Sequence, residues 1–126
     1  MGLSRTRVSD LSPLIALKNL HFLDLSEIKV SDLIPLADLT KLKELNLSDA
    51  SEVHDLSSLA GLNRLRRLSV TYSSVSNLSP LASLKNLEDL KLNGTKVSDL
   101  TPLAGLEKLD LLELNDARGV QDLYPL

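Results

Sequence analysis

The stretch Val75–Thr95 reads VSNLSPLASLKNLEDLKLNGT. Its apolar residues fall at positions 1, 4, 7, 10, 13, 16 and 18: Val75, Leu78, Leu81, Leu84, Leu87, Leu90 and Leu92. The same spacing restarts at Val8, Val30, Val53, Val97 and Val120, at intervals of 22 or 23 residues. In the five complete copies all 35 of these positions are apolar and 29 are leucine. A fixed period of this length implies stacking, because one copy buries its apolar side only against the copies before and after it. The full units are 8–29, 30–52, 53–74, 75–96 and 97–119, with partial units at 1–7 and 120–126. Together they predict one domain over residues 1–126.

Within each unit the L-x-L pair marks a strand: Leu23 and Leu25, Leu45 and Leu47, Leu68 and Val70, Leu90 and Leu92, Leu112 and Leu114. Alternation turns these inward and sends their neighbours to the other face. Position 3 is Asp10, Asp32, Asp55, Asn77, Asp99 and Asp122, an acceptor able to satisfy the free N–H groups that open a helical turn. Position 6 is Pro13, Pro35, Ser58, Pro80, Pro102 and Pro125, and proline is tolerated in a first turn. The run that follows has room for one or two turns, of 3₁₀ or brief α type. Position 8 is Ala37, Ala60, Ala82 and Ala104, which lets adjacent turns approach, and Ile15 departs from it. The L-x-x-L-x-x-L-x-L pattern at this period predicts an α/β solenoid, a leucine-rich repeat wound as a right-handed superhelix. A parallel β-sheet lines its concave face, and short 3₁₀ or α turns form its convex face.

Met1 and Leu3 fit positions 16 and 18 of an earlier unit, and Val120, Leu123 and Leu126 open a sixth. No polar capping unit flanks the array, although solenoids normally need one. The expectation is a segment of a longer array, or a short array capped by itself or a partner. Self-association through uncapped ends is the alternative to a binding role.

The net charge of −3, from 14 basic and 17 acidic residues, argues against a general nucleic-acid binder, which usually carries a basic stripe. No basic amphipathic face and no apolar run of membrane-spanning length is present, so no membrane insertion is expected. Without cysteine there is no disulfide and no cysteine–metal site. His21 and His54 stand apart, no serine sits in a G-x-S-x-G elbow, and the five glycines form no phosphate loop. The expectation is a non-enzyme without cofactors. The motifs at Asn46, Asn77 and Asn93 that fit N-glycosylation follow from repeat composition. MGLSRT at the start fits N-myristoylation less simply than a start codon and a cloning glycine.

The candidate protein-binding residues lie at the outward strand positions: Phe22, Asp24, Glu44, Asn46, Arg67, Ser69, Thr71, Asp89, Lys91, Leu111 and Glu113, with Tyr72 just beyond the third row. An exposed aromatic or Leu among polar neighbours is a candidate anchor, and anchors are enriched in Tyr, Trp and Arg, which singles out Phe22, Arg67, Tyr72 and Leu111. Phe22 and Leu111 have a second reading as cover for end units. Arg64, Arg66 and Arg67 read as a small basic cluster against the acidic Glu107, Asp110, Glu113 and Asp116. That pattern is either a gradient that orients a partner or an ordinary solvated surface.

Val75–Leu92 and Val97–Leu114 resemble the bacterial leucine-rich repeats of the internalin type. The resemblance covers residues 8–126. It implies a curved solenoid that binds another protein on its concave sheet, as a surface or secreted adhesin or within a larger signalling or effector protein. No secretory signal opens this chain, so the compartment follows from whichever of these holds. One column departs from the family. Its position-21 Asn is here Ile28, Ala50, Ser73, Thr95 and Ala117, so the backbone groups an Asn ladder would satisfy need other partners.

Overall fold

A computed structural model describes residues 1–5, 8–117 and 119. The partial unit at 120–126, with Asp122, Leu123, Tyr124 and Pro125, lies outside the described residues. Five strands, β1 (Phe22–Asp24), β2 (Glu44–Asn46), β3 (Arg67–Ser69), β4 (Asp89–Lys91) and β5 (Leu111–Glu113), form one parallel sheet in sequence order. The register equates the repeats: Leu23, Leu45, Leu68, Leu90 and Leu112 face one another from strand to strand. Gly2 bridges Asp24 in parallel, and Leu3 donates its N–H to Asp24 O at 2.7 Å, so Met1–Leu3 extend the sheet beside β1.

Opposite the sheet, a short 3₁₀ segment occupies each unit: Ser12–Ala16, Ile34–Leu36, Ser57–Leu59, Ser79–Ser83 and Thr101–Leu103. No α-helix occurs among the described residues, because only a few residues separate the turn from the next strand. The position-3 acceptor acts one residue earlier than an N-cap. The N-cap is a leucine in every unit. Asp10, Asp32, Asp55, Asn77 and Asp99 instead accept the N–H two residues ahead, at 2.9–3.0 Å. This is an Asx turn, which leads the chain into the 3₁₀ segment.

Leaving the strand, the chain turns again over positions 18–21. The N–H of Ile28, Ala50, Ser73, Thr95 and Ala117 returns to the carbonyl three residues back. The residue before each has φ between 55° and 65°: Glu27, Asp49, Tyr72, Gly94 and Asp116, with Arg5 at the equivalent place in the first partial unit. A positive φ at the third residue is what a type II turn requires, and it favours glycine. Only Gly94 obliges. Arg5, Glu27, Asp49, Tyr72 and Gly94 also donate their N–H to the next unit, as Asp49 does to Thr71 O at 2.7 Å, so the sheet ladder holds these turns in place. The hydroxyls of Ser73 and Thr95 supply part of what the absent Asn column would, donating to Val70 O at 2.6 Å and Leu92 O at 2.7 Å.

The core is the predicted column. In units two to four every apolar position is buried, from Val30 to Leu92. In the outer units coverage is one-sided: Leu17 is 39% exposed, and Val8, Leu20, Leu109, Leu112 and Leu114 are only half-buried. The alanine column varies too, with Ala37, Ala60 and Ala82 half-buried and Ala104 exposed, and Ile15 is also exposed. On the outer flank Lys41 Nζ reaches Asn19 Oδ1 at 2.6 Å and Lys108 Nζ reaches Asn86 Oδ1 at 2.7 Å. Asn86 Nδ2 in turn reaches Asn63 O at 2.7 Å, so polar side chains clamp successive units where leucine cannot.

Two expectations follow. Leu90 has no exposure, so Leu90→Ala should destabilise the chain by about 2–5 kcal/mol in urea denaturation. A loss below about 0.5 kcal/mol would mean that the inward face is wrongly assigned. The second concerns acid. Hydrogen bonds from Ser12 hold Asp10 below the ordinary carboxylate value of 3.8, backbone N–H first and hydroxyl second, and Ser57 does the same for Asp55. For Asp99 the Thr101 hydroxyl leads and its N–H follows. A depressed folded value means that unfolding takes up protons. The stabilisation is therefore complete above the unfolded value and disappears as pH falls through the folded one. The triple variant Asp10→Asn/Asp55→Asn/Asp99→Asn keeps the acceptor, as Asn77 does. It should lose less stability than the wild type between about pH 5 and about pH 3, measured by denaturation midpoint.

Candidate protein-binding face

Strand alternation brings three columns to the concave face. Position 15 holds Phe22, Glu44, Arg67, Asp89 and Leu111, and position 17 holds Asp24, Asn46, Ser69, Lys91 and Glu113. Position 19 adds Ser26, Ser48, Thr71, Asn93 and Asn115. Neighbours in a column sit on adjacent strands about 4.8 Å apart. Residues some 22 apart in sequence therefore interact directly.

Arg67 Nη1 donates to Glu44 Oε1 at 2.8 Å, and Lys91 Nζ lies 3.7 Å from Glu113 Oε1. Asn93 Nδ2 donates to the other Glu113 oxygen at 2.6 Å, and Asn93 Oδ1 accepts the Asn115 N–H at 2.8 Å. The hydroxyls of Ser48 and Ser69 lie 2.7 Å apart, and Ser69 donates onward to Thr71 at 3.2 Å. Asp24 and Asn46 each accept the N–H two residues ahead. Asp89 differs: its Oδ1 is buried and has no hydrogen-bond partner. The face is thus a polar lattice, tied internally at nearly every point and left open at one carboxylate.

These side chains line a shallow groove of about 460 Å³. Of the sequence candidates, Phe22, Glu44, Asn46, Arg67, Ser69, Thr71, Asp89, Lys91 and Glu113 line it together. Asp24, Tyr72 and Leu111 lie outside the groove. Leu111 shares a neighbouring hollow with Arg67, Glu88, Asp89, Lys108 and Asp110. Ser48 and Asn93 line the groove although they were not singled out as binding residues. The inward–outward period placed them there, and their small polar side chains gave no separate signal. The basic cluster does not act as one. Arg66 pairs with Glu88 at 3.2 Å and Arg67 with Glu44, while Arg64 stands at position 12, in the column of the flank clamps Asn19, Lys41, Asn86 and Lys108. These ion pairs are largely exposed and contribute at most about 1 kcal/mol each.

Tyr72 occupies the left-handed column at the rim, at φ 55° and 52% exposed. Its ring lies over Gly94, where an added Cβ would sit 2.2 Å from Cδ1. Gly94 is therefore needed twice, for its own φ of 65° and to leave room for the ring. The rim column reads Glu27, Asp49, Tyr72, Gly94, Asp116, an aromatic among carboxylates.

Among the described residues no three His, Asp or Glu side chains gather as metal ligands. His54 is exposed, its Nδ1 3.2 Å from Glu52 O. No described helix is long and apolar enough to cross a membrane.

No protein-family model and no curated protein matches the sequence. Solved structures do. An internalin, inlF, from Listeria monocytogenes superposes with a TM-score of 0.90 at 37% identity, over 97% of this chain and 36% of that one. Internalin C2 of the same organism gives 0.69 at 30% identity, over 100% of this chain and 66% of that one. This chain thus spans about a third of the first and just under two thirds of the second. The leucine-rich repeat domain of the type III effector XopL gives 0.83 at 23% identity, over 96% of this chain and 45% of that one, a likeness of fold.

Gly94→Ala should cost about 1–2 kcal/mol for the left-handed backbone alone, and more while Tyr72 is present. In a double-mutant cycle with Tyr72→Ala, thermal denaturation should show a coupling that shrinks the Gly94→Ala penalty. Additive effects would mean that the ring does not rest on Gly94.

Proposed function

Because the chain is an internalin-like leucine-rich repeat solenoid, we propose that it is a non-enzymatic module that binds another protein on its concave sheet. The observation that carries this is the contrast between the two sides of the strands. Inward positions are nearly uniform leucine, while the outward positions differ from unit to unit and converge on one groove. Packing fixes the first set. Nothing in the fold requires a Phe22, an Arg67 or a Leu111 on the outside. Phe22 and Leu111 each expose 44% of their surface, and burying an apolar side chain of that kind stabilises a complex. The similarity to internalins and to an effector repeat domain supports an interaction role. The lining side chains are largely bonded to one another across the strands, which suits a preformed surface that recognises a partner.

A photo-cross-linking amino acid placed at Phe22 or Ser69 on the groove, and at Ile34 on the convex side, separates the faces in cells that produce the protein. Ile34 is 70% exposed, so it is equally reachable. Adducts of higher mass should form from the groove sites and be lost when Arg67 and Leu111 are also replaced by alanine. Adducts from Ile34 alone would sink the concave-face assignment.

A further inference from the structure

Resting on the concave-face reading, the charge pattern of its first column describes the partner. Position 15 runs Phe22, Glu44, Arg67, Asp89, Leu111 in unbroken register across all five strands. An apolar side chain stands at each end, a carboxylate inside each, and one cation in the middle. That cation is already committed. Arg67 reaches Glu44 at 2.8 Å and makes no ion pair with Asp89, its register neighbour on the other side. Asp89 Oδ1 is left out of solvent without a partner. A buried carboxylate oxygen in that state costs free energy until a cation or donor reaches it.

The surroundings have the same sign. Among the described residues Asp24, Asp49, Asp110 and Asp116 make no ion pair, whereas the cations Arg5, Arg66, Arg67 and Lys91 all do. Among the described residues Lys43, Lys96 and Lys108, which border this face, make no ion pair either, but columns 15, 17 and 19 hold four carboxylates, Asp24, Glu44, Asp89 and Glu113, against two cations, Arg67 and Lys91. The face thus presents surplus negative charge between two apolar ends.

We propose that this column binds a basic segment of a partner protein, with a Lys or Arg side chain entering beside Asp89 and apolar residues covering Phe22 and Leu111. Four inter-strand steps separate the two apolar ends, about 19 Å along the sheet. A helix covers that distance in about 13 residues, an extended strand in about six. The unpaired carboxylates attract such a segment and repel an acidic one.

The test selects binders from a display library of random 16-residue peptides against the intact chain. Selected peptides should place Lys or Arg between two apolar residues and bind less tightly as salt rises. They should bind Asp89→Asn at least about tenfold more weakly than the wild type. A second variant guards against a trivial loss of folding: Glu44→Gln releases Arg67 to neutralise Asp89, and it should weaken the same peptides with Asp89 intact. Thermal melts check that each variant is folded. Peptides that require Phe22 and Leu111, shown by Phe22→Ala/Leu111→Ala, but carry no basic preference and ignore Asp89→Asn, overturn this inference and leave the concave-face reading standing. Peptides indifferent to all these substitutions, or a library that yields no binder, overturn both.

Discussion

Seven apolar side chains in every unit must reach one narrow interior, and no unit can shield them alone. The parallel ladder is what enforces this. Leu25 N–H to Asn46 O, Leu47 to Ser69 O, Val70 to Lys91 O and Leu92 to Glu113 O repeat one bond at 2.8–3.0 Å, and each keeps its apolar side chain aligned with the equivalent one of the next unit. A slip of one residue in any strand would turn its whole set to the groove. Two polar devices supplement the ladder where leucine is absent. The Asx turns at position 3 set the chain into each 3₁₀ segment, and the Asn–Lys clamps tie the outer flank. Neither buries apolar surface. Both fix the path between the strands.

The fold is legible in the residues because its cause is periodic. Spacing alone gives the strand positions, the inward faces, the short turns and the leucine-rich repeat solenoid, and it puts Met1 and Leu3 beside Leu23 and Leu25. What spacing conceals is geometry that several residue types satisfy. The left-handed column is the clearest case: glycine would have announced it, but Glu27, Asp49 and Tyr72 adopt the same φ because the inter-unit hydrogen bond holds them there, and Asp116 repeats it in the last turn. The acceptor at position 3 was readable as a turn former, while its exact partner two residues ahead was not.

The groove was partly legible. Its columns follow from alternation, so most of its lining was nameable in advance. The choice that Arg67 makes was not. Glu44 and Asp89 are its equivalent neighbours in register, and only side-chain placement shows one paired and the other left alone. The same placement dissolves the apparent basic cluster, since Arg66 and Arg67 are each offset by a glutamate one repeat away. Arginines adjacent in sequence take different partners, Glu88 and Glu44, because residues about 22 apart become neighbours.

That last fact bears on how such a surface can change over generations. Because every unit meets its neighbours through the same in-register bonds, duplicating or deleting one 22-residue unit leaves the joints intact and shifts the outward columns by one rung, about 4.8 Å. The outward face of the sheet can therefore be lengthened or shortened by recombination between repeats in a single genetic event. Point substitutions at the outward positions then rewrite each rung without touching the leucines behind it.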